Sequence, residues 1–163
     1  MAFSNRLTKT IKKINMLPKS IRGWVLNKVV GSAVKMVGYL KLNIQTMTQE
    51  QVIVSVENKK PVQNHIGGVH ACCTALLAET ATGLVVGMNV PDSSLNLLKT
   101  MQVSYLKRST GGVKAVAYLS EEQQRSIQTE AKGELLVPVD VTDEAGETIV
   151  SCEMLWAWIP KKR

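Results

Sequence analysis

The sequence predicts an α+β fold in which a strongly curved antiparallel sheet wraps around one long central helix, with a helical extension at the N-terminus. Three observations carry that prediction. Residues 64–83 read NHIGGVHACCTALLAETATG and are apolar on nearly every helical face, so a helix there has to be enclosed. Segments with a two-residue period flank it on both sides, each ending at a turn signal. The 163 residues suit a single domain large enough to bury a full core.

Each element follows in chain order. Ile11, Ile14, Leu17, Ile21, Val25 and Val29 recur at three and four residues with lysines between them, which predicts one or two amphipathic helices over 3–34, interrupted near Pro18. They are read either as a cap packed on the domain or, because the polar face is basic and carries Trp24, as an interfacial helix for an anionic membrane surface. From Tyr39 the period becomes two. A hairpin is expected from Tyr39–Ile44 and Gln51–Glu57 around the turn MTQE. ENKKPVQN is a loop, and the central helix is expected to open at Gly67 and Gly68. Strands are then predicted over Leu84–Asn89, Thr100–Leu106 and Val113–Leu119. Ser120 with Gln123 three residues on forms a capping box for a short exposed helix ending near Gly133. Glu134–Val141 and Thr148–Ile159 form a last hairpin about the turn DEAG.

Charge is unevenly spread. The formal net charge is +7, but residues 1–49 hold nine Lys or Arg and no acid, while residues 50–163 sum to −2. Basicity therefore belongs to the N-terminal segment, which argues against a nucleic-acid-binding domain. Three cysteines, two of them adjacent, make no disulfide framework, so a reducing, cytoplasmic compartment is expected. Residues 1–16 carry charges where a signal peptide needs an apolar stretch; their basic, acid-free character gives a weak transit-peptide signal. Ile66–Val90 is apolar enough to suggest a membrane span, but Glu79 sits in its middle and a carboxylate there costs several kcal/mol.

The segment NHIGGVHACCTALLAE resembles the opening of the central helix in hotdog-fold acyl-CoA thioesterases, particularly the phenylacetate-pathway type and a related bacterial group. An Asn six residues before a His and fifteen before a catalytic acid is the pattern, and Asn64, His70 and Glu79 keep both spacings. KTMQVSYLKR (Lys99–Arg108) is similar to the strand facing the acyl chain, and DEAGETIV (Asp143–Val150) to the final hairpin. The resemblance implies a hotdog domain over 37–163, behind a basic extension over 1–36. It also implies an acyl-CoA or other acyl thioester as substrate, a homodimer or homotetramer, and no cofactor or metal. Two departures stand out: Ala71 replaces a common Gly, and the Ser or Thr that often supports the attacking water has no match, Leu98 and Thr100 lying nearest.

The residues themselves allow this chemistry. Thioester hydrolysis needs an activated water and preorganised donors for the oxyanion. Glu79 is the only acid between Glu57 and Asp92, and burial on an apolar helix would lift its pKa toward that of a general base; it can equally be a rim carboxylate paired with a Lys. Gly67 and Gly68 would leave N–H groups near Val69–Ala71 free to act as an oxyanion site. Asn64 either positions water or thioester or simply caps the loop. Nine helical residues put His70 and Glu79 on opposite faces and about 13 Å apart along the axis, so one site would have to combine Asn64 and Ala71 of one chain with Glu79 of another. His70, Cys72 and Cys73 also allow a thiol or metal reading, which neighbouring helical positions disfavour. His65 and Glu79, fourteen apart, allow a dehydratase dyad, but its proline-rich loop is missing. Gly67, Gly68 and Thr100 are expected to line the substrate. Lys107 and Arg108, with Lys59, Lys60 or the tail Lys161–Arg163, are expected to meet the phosphates of coenzyme A. A non-catalytic acyl or lipid binder at the membrane is the competing function.

Overall fold

The computed structural model describes residues 3–162. Arg163, in the expected tail cluster, and Met1 and Ala2, in the extension, lie outside the described residues.

The N-terminal periodicity becomes two helices, α1 (Arg6–Asn15) and α2 (Lys19–Ala33), with Pro18 as the residue capping α2. Proline suits this place because it lacks the N–H that a helix start leaves unpaired. The buried faces are Ile11 and Ile14 on α1 and Leu26 and Val30 on α2, so both helices pack on the domain. Asn5 caps α1 by accepting from the Thr8 N–H at 2.8 Å. Its Nδ2 also donates to the Gly87 and Val90 carbonyls at 2.9 and 2.7 Å, which pins α1 to the far end of the central helix. Asn5→Ala removes the cap and both tethers, and is expected to destabilise the protein by about 1–2 kcal/mol, read as a lower midpoint in thermal unfolding.

The next turns depart from expectation. Lys35–Tyr39 is a short helix, α3, and strand β1 is only Asn43–Met47. Val37 is buried, and Lys41 takes φ 53 to turn the chain into β1. Tertiary packing of one valine outweighs the local alternation around Tyr39. Strand β2 (Gln51–Val56) follows the MTQE turn as predicted.

The central helix, α4, runs Ala71–Gly87. It therefore starts three residues after Gly68, and the expected strand at Leu84–Asn89 is mostly its last turn. Leu77, Ala78, Ala81, Val85 and Val86 are all inaccessible, and a helix buried on most sides carries no periodicity to separate it from a buried strand. Gly83 does not break the helix because its role is packing. A Cβ there would lie 2.6 Å from the Trp156 ring. Asn89 closes the helix end: its amide donates to the Val85 and Gln49 carbonyls at 2.9 and 2.8 Å and accepts from Gln128 at 2.7 Å.

The remaining elements are β3 (Ser94–Tyr105), β4 (Val113–Tyr118), α5 (Glu121–Thr129), β5 (Gly133–Leu136), β6 (Val139–Asp143) and β7 (Thr148–Pro160). The Ser120–Gln123 capping box of α5 is present. Strand β3 begins six residues before the expected Thr100, because a bulge between Leu98 and Thr100 shifts the alternation and hides its first half. The single strand expected over Glu134–Val141 is split at Pro138, which cannot donate to a ladder. The sheet is antiparallel, in the order β1-β2-β4-β6-β7-β3, with β5 also on β7. It packs on α4 through β2, β3, β4, β6 and β7. Among the described residues no helix is long and apolar enough to cross a membrane.

Candidate active site

The loop before α4 is built around Asn64. Its Oδ1 accepts from the N–H groups of Ile66 and Gly68, both at 3.1 Å, and Gly67 closes the turn with φ 79, a conformation open to glycine without strain. Two further bonds, Asn64 N–H to the Gly68 carbonyl and His70 N–H to the Val62 carbonyl, both at 2.8 Å, anchor the loop. Asn64 is thus the organiser of this turn, while its Nδ2 has no acceptor among the described residues.

His70 is the residue capping α4 rather than its first turn. Its Nδ1 accepts from the Cys72 N–H at 3.1 Å. The opposite-face comparison with Glu79 therefore lapses, since His70 has no helical phase. Ala71 is the first helical residue and is exposed, and its N–H donates to nothing among the described residues, which leaves a helix-terminal donor facing outward. The Ala71 carbonyl accepts from the Tyr105 hydroxyl at 2.7 Å, which ties the helix start to the end of β3. Partial desolvation of the hydroxyl, with Cys72 and Cys152 nearby, raises the Tyr105 pKa and keeps the hydroxyl a donor.

Glu79 lies at the middle of α4, on its less covered stripe with Leu76 and Gly83. Burial raises its pKa above the usual carboxylate value, and the Thr80 hydroxyl, 3.4 Å from Oε2, partly opposes that. None of the ion pairs among the described residues includes it, so the paired rim carboxylate is not what the fold builds. Its surroundings form a cavity of about 430 Å³, with Leu7 of α1, Val34, Gly83, Asn96, Leu97 and Trp156 in the walls. Asn96 Nδ2 donates to the Gly83 carbonyl at 3.2 Å, which fixes its amide on the wall of this cavity more than a turn beyond Glu79.

The other expected residues gather elsewhere. Asn64, Gly67, Gly68 and Ala71 share a cavity of about 660 Å³ with Tyr105, Lys107 and Arg108. Lys107 is ion-paired with Glu147. Thr100 is exposed on β3 and lines neither cavity, and Lys59 is paired with Glu57. Within one chain these residues thus fall in two separate cavities. From Ala71 to Glu79 the helix rises about 12 Å, too far for one thioester carbon to reach both.

The two cavities flank opposite ends of β3. Asn96 and Leu97 belong to the Glu79 cavity, and Tyr105 to the loop cavity. Among the described residues strand β3 pairs only with β7, so its other edge is open along twelve residues, with Leu95, Leu97, Met101 and Tyr105 exposed. Sequence reasoning missed Asn96, Tyr105, Thr80 and Trp156. Only Tyr105 carried a signal, as the end of a predicted strand. His65 is exposed in the loop and lines neither cavity, and no group of three potential ligands that could hold a metal occurs among the described residues.

Residues 22–159 match the family described as "Domain of unknown function (DUF4442)". Among solved structures, a Pseudomonas aeruginosa protein of unknown function described as a probable thioesterase superposes with a TM-score of 0.76 at 21% identity, covering 89% of this chain and 97% of its own. A thioesterase from Haemophilus influenzae gives a TM-score of 0.67 at 15% identity, covering 83% of this chain and 88% of its own. A mutant thioesterase from Staphylococcus aureus gives 0.65 at 15% identity, with coverage of 77% and 99%. No curated protein matches the chain. At these identities the likeness shows the fold, and that fold is the hotdog.

Proposed function

The chain belongs to the DUF4442 family, and from that premise we propose that it hydrolyses an acyl thioester in a site shared between two copies. The observation that carries the reading is the placement of the two half-sites at opposite ends of one open edge strand. Antiparallel pairing of β3 with its copy about a two-fold axis exchanges the ends of the strand. It thereby brings the Glu79 cavity of one chain toward the Ala71 loop of the other. An unblocked apolar edge of this length favours such pairing, and the solved relatives called thioesterases add support from the fold.

In this reading Glu79 takes a proton from water as the water oxygen attacks the thioester carbon. The oxyanion receives the Ala71 N–H, and the free Asn64 amide is a second donor. When the intermediate collapses, the carbon–sulfur bond breaks and the thiolate takes the proton back from Glu79, leaving a carboxylic acid and a thiol. The Thr80 hydroxyl, 3.4 Å from Oε2, positions the carboxylate. The acyl chain lies along Gly83 and Gly87, against Leu7, Leu84 and Leu97. Arg108, beside the loop cavity, meets the phosphates of coenzyme A, with Lys107 shared with Glu147.

Mixing two inactive variants tests the shared site. Glu79→Gln and Asn64→Ala are each expected to be slow on a panel of acyl-CoAs. Refolded together in equal amounts, they should recover about a quarter of wild-type activity, because half the dimers are mixed and each of those holds one intact site. No recovery from two folded, dimeric variants would mean that the site lies within one chain. No hydrolysis of any acyl-CoA by the wild type would favour a binding protein.

A further inference from the structure

We propose that the outer face of α2 and the adjoining α3 turn docks on an anionic lipid bilayer, with Trp24 and Ile21 entering the interface and Lys28 and Lys41 meeting the headgroups. Ile21, Trp24 and Lys28 are spaced by three and four residues, so they share one face of α2. Trp24 is 65% accessible, and Met16, Ile21, Met36 and Tyr39 are also exposed. These side chains are not needed to hold the helices, since Leu26, Val30 and Val37 supply the buried contacts. Asn27 adds a tie on the inner side, accepting from the Ile44 N–H at 2.7 Å.

The charge around this face selects the partner. Trp24, Lys28 and Lys41 line one cavity of about 490 Å³ between α2 and the α3 turn. No acid occurs before Glu50, and none of the ion pairs among the described residues involves a cation of this segment. A second copy would bring the same uncompensated charge against itself. A bilayer rich in anionic lipid offers both complements, negative headgroups for the lysines and an interface in which Trp and Tyr are favoured. Val34, between α2 and α3, lines the Glu79 cavity, so a docked chain would hold that cavity close to the lipid. The proposal does not depend on the reaction above, because its test reads no hydrolysis.

The test uses the full chain with vesicles of phosphatidylcholine, with and without phosphatidylglycerol. Co-sedimentation is expected only with the anionic lipid and should weaken as salt is added. Tryptophan emission should shift to the blue on binding. Trp156 and Trp158 are 5% and 1% accessible, so the shift reports Trp24. The double variant Ile21→Ser, Trp24→Ser should keep its circular dichroism and thermal midpoint while losing vesicle affinity at least about tenfold. Lys28→Gln and Lys41→Gln should each weaken binding about fivefold. Failure to bind phosphatidylglycerol vesicles overturns the proposal, as does equal binding to phosphatidylcholine alone. Binding that leaves emission unchanged, or survives the double variant, places lipid contact elsewhere and also overturns it. So does a higher sedimenting mass without vesicles that the double variant abolishes, since the face would then belong to a second copy.

Discussion

Replacing Glu79 with Gln is expected to lower kcat for thioester hydrolysis by about 10²- to 10⁴-fold, the usual contribution of a general base, with little change in KM. The substitution keeps the shape of the side chain and removes only its ability to take a proton. It also predicts opposite pH trends for rate and stability. Burial raises the Glu79 pKa, so the folded chain holds this proton to higher pH than the unfolded chain does. The contribution of Glu79 to stability is complete below the unfolded carboxylate pKa and is lost as pH rises through the raised folded value. The ionised form is the base, so kcat/KM should rise through that same folded value. Glu79→Gln should accordingly be slower than wild type and, near neutral pH, more stable to denaturant. Thiol release followed across pH, alongside urea unfolding, checks both halves. A variant that hydrolyses as fast as the wild type removes Glu79 from the reaction.

The second large effect is structural. Trp156→Ala is expected to destabilise the protein by about 3–5 kcal/mol, the range for emptying an aromatic site in a core. Trp156 is 5% accessible, faces Leu98 on β3 and Leu135 on β5 across the sheet, and covers Gly83 of α4. Its Nε1 donates to the Thr82 hydroxyl at 2.9 Å. That hydroxyl also donates to the Ala78 and Glu79 carbonyls, so losing the ring leaves no orphaned polar group and the cost is mainly one of cavity and transfer. For a chain of this size about 2–4 °C of midpoint is lost per kcal/mol, so calorimetry should show a fall of roughly 10 °C. Trp24→Ala is the internal contrast. That side chain is largely in solvent, and its loss should change stability by no more than about 0.5 kcal/mol.

Where local chemistry decides a conformation, it was legible in the sequence. The capping box at Ser120, the turn MTQE and the break at Pro18 stand where they were expected, because each depends on residues within a few positions of one another. The enclosed helix was legible for a broader reason: an apolar surface on most sides has one stable environment. Its ends were not. Buried helix and buried strand look alike in composition, so the turn at Leu84–Gly87 was assigned to the sheet, and the helix start was drawn to two glycines that belong to the preceding loop. Around Tyr39 a buried Val37 settled the conformation against the local pattern, and at Lys99 a bulge concealed half a strand.

The candidate site divides in the same way. The sequence by itself determined an enclosed central helix with strands around it and one isolated acid, Glu79, in its apolar run, because these are local properties, while the hotdog architecture and the roles expected of Asn64, Ala71 and Glu79 were implied by the resemblance. Only the tertiary structure decided that His70 serves as a cap, that Asn96 lines the same cavity as Glu79, and that Trp156 needs a glycine beneath it. It also decided that the two cavities flank opposite ends of one open edge. Those facts join residues from strands and helices far apart in the chain, and which side chains meet is set by sheet register and packing rather than by any spacing a single sequence can display.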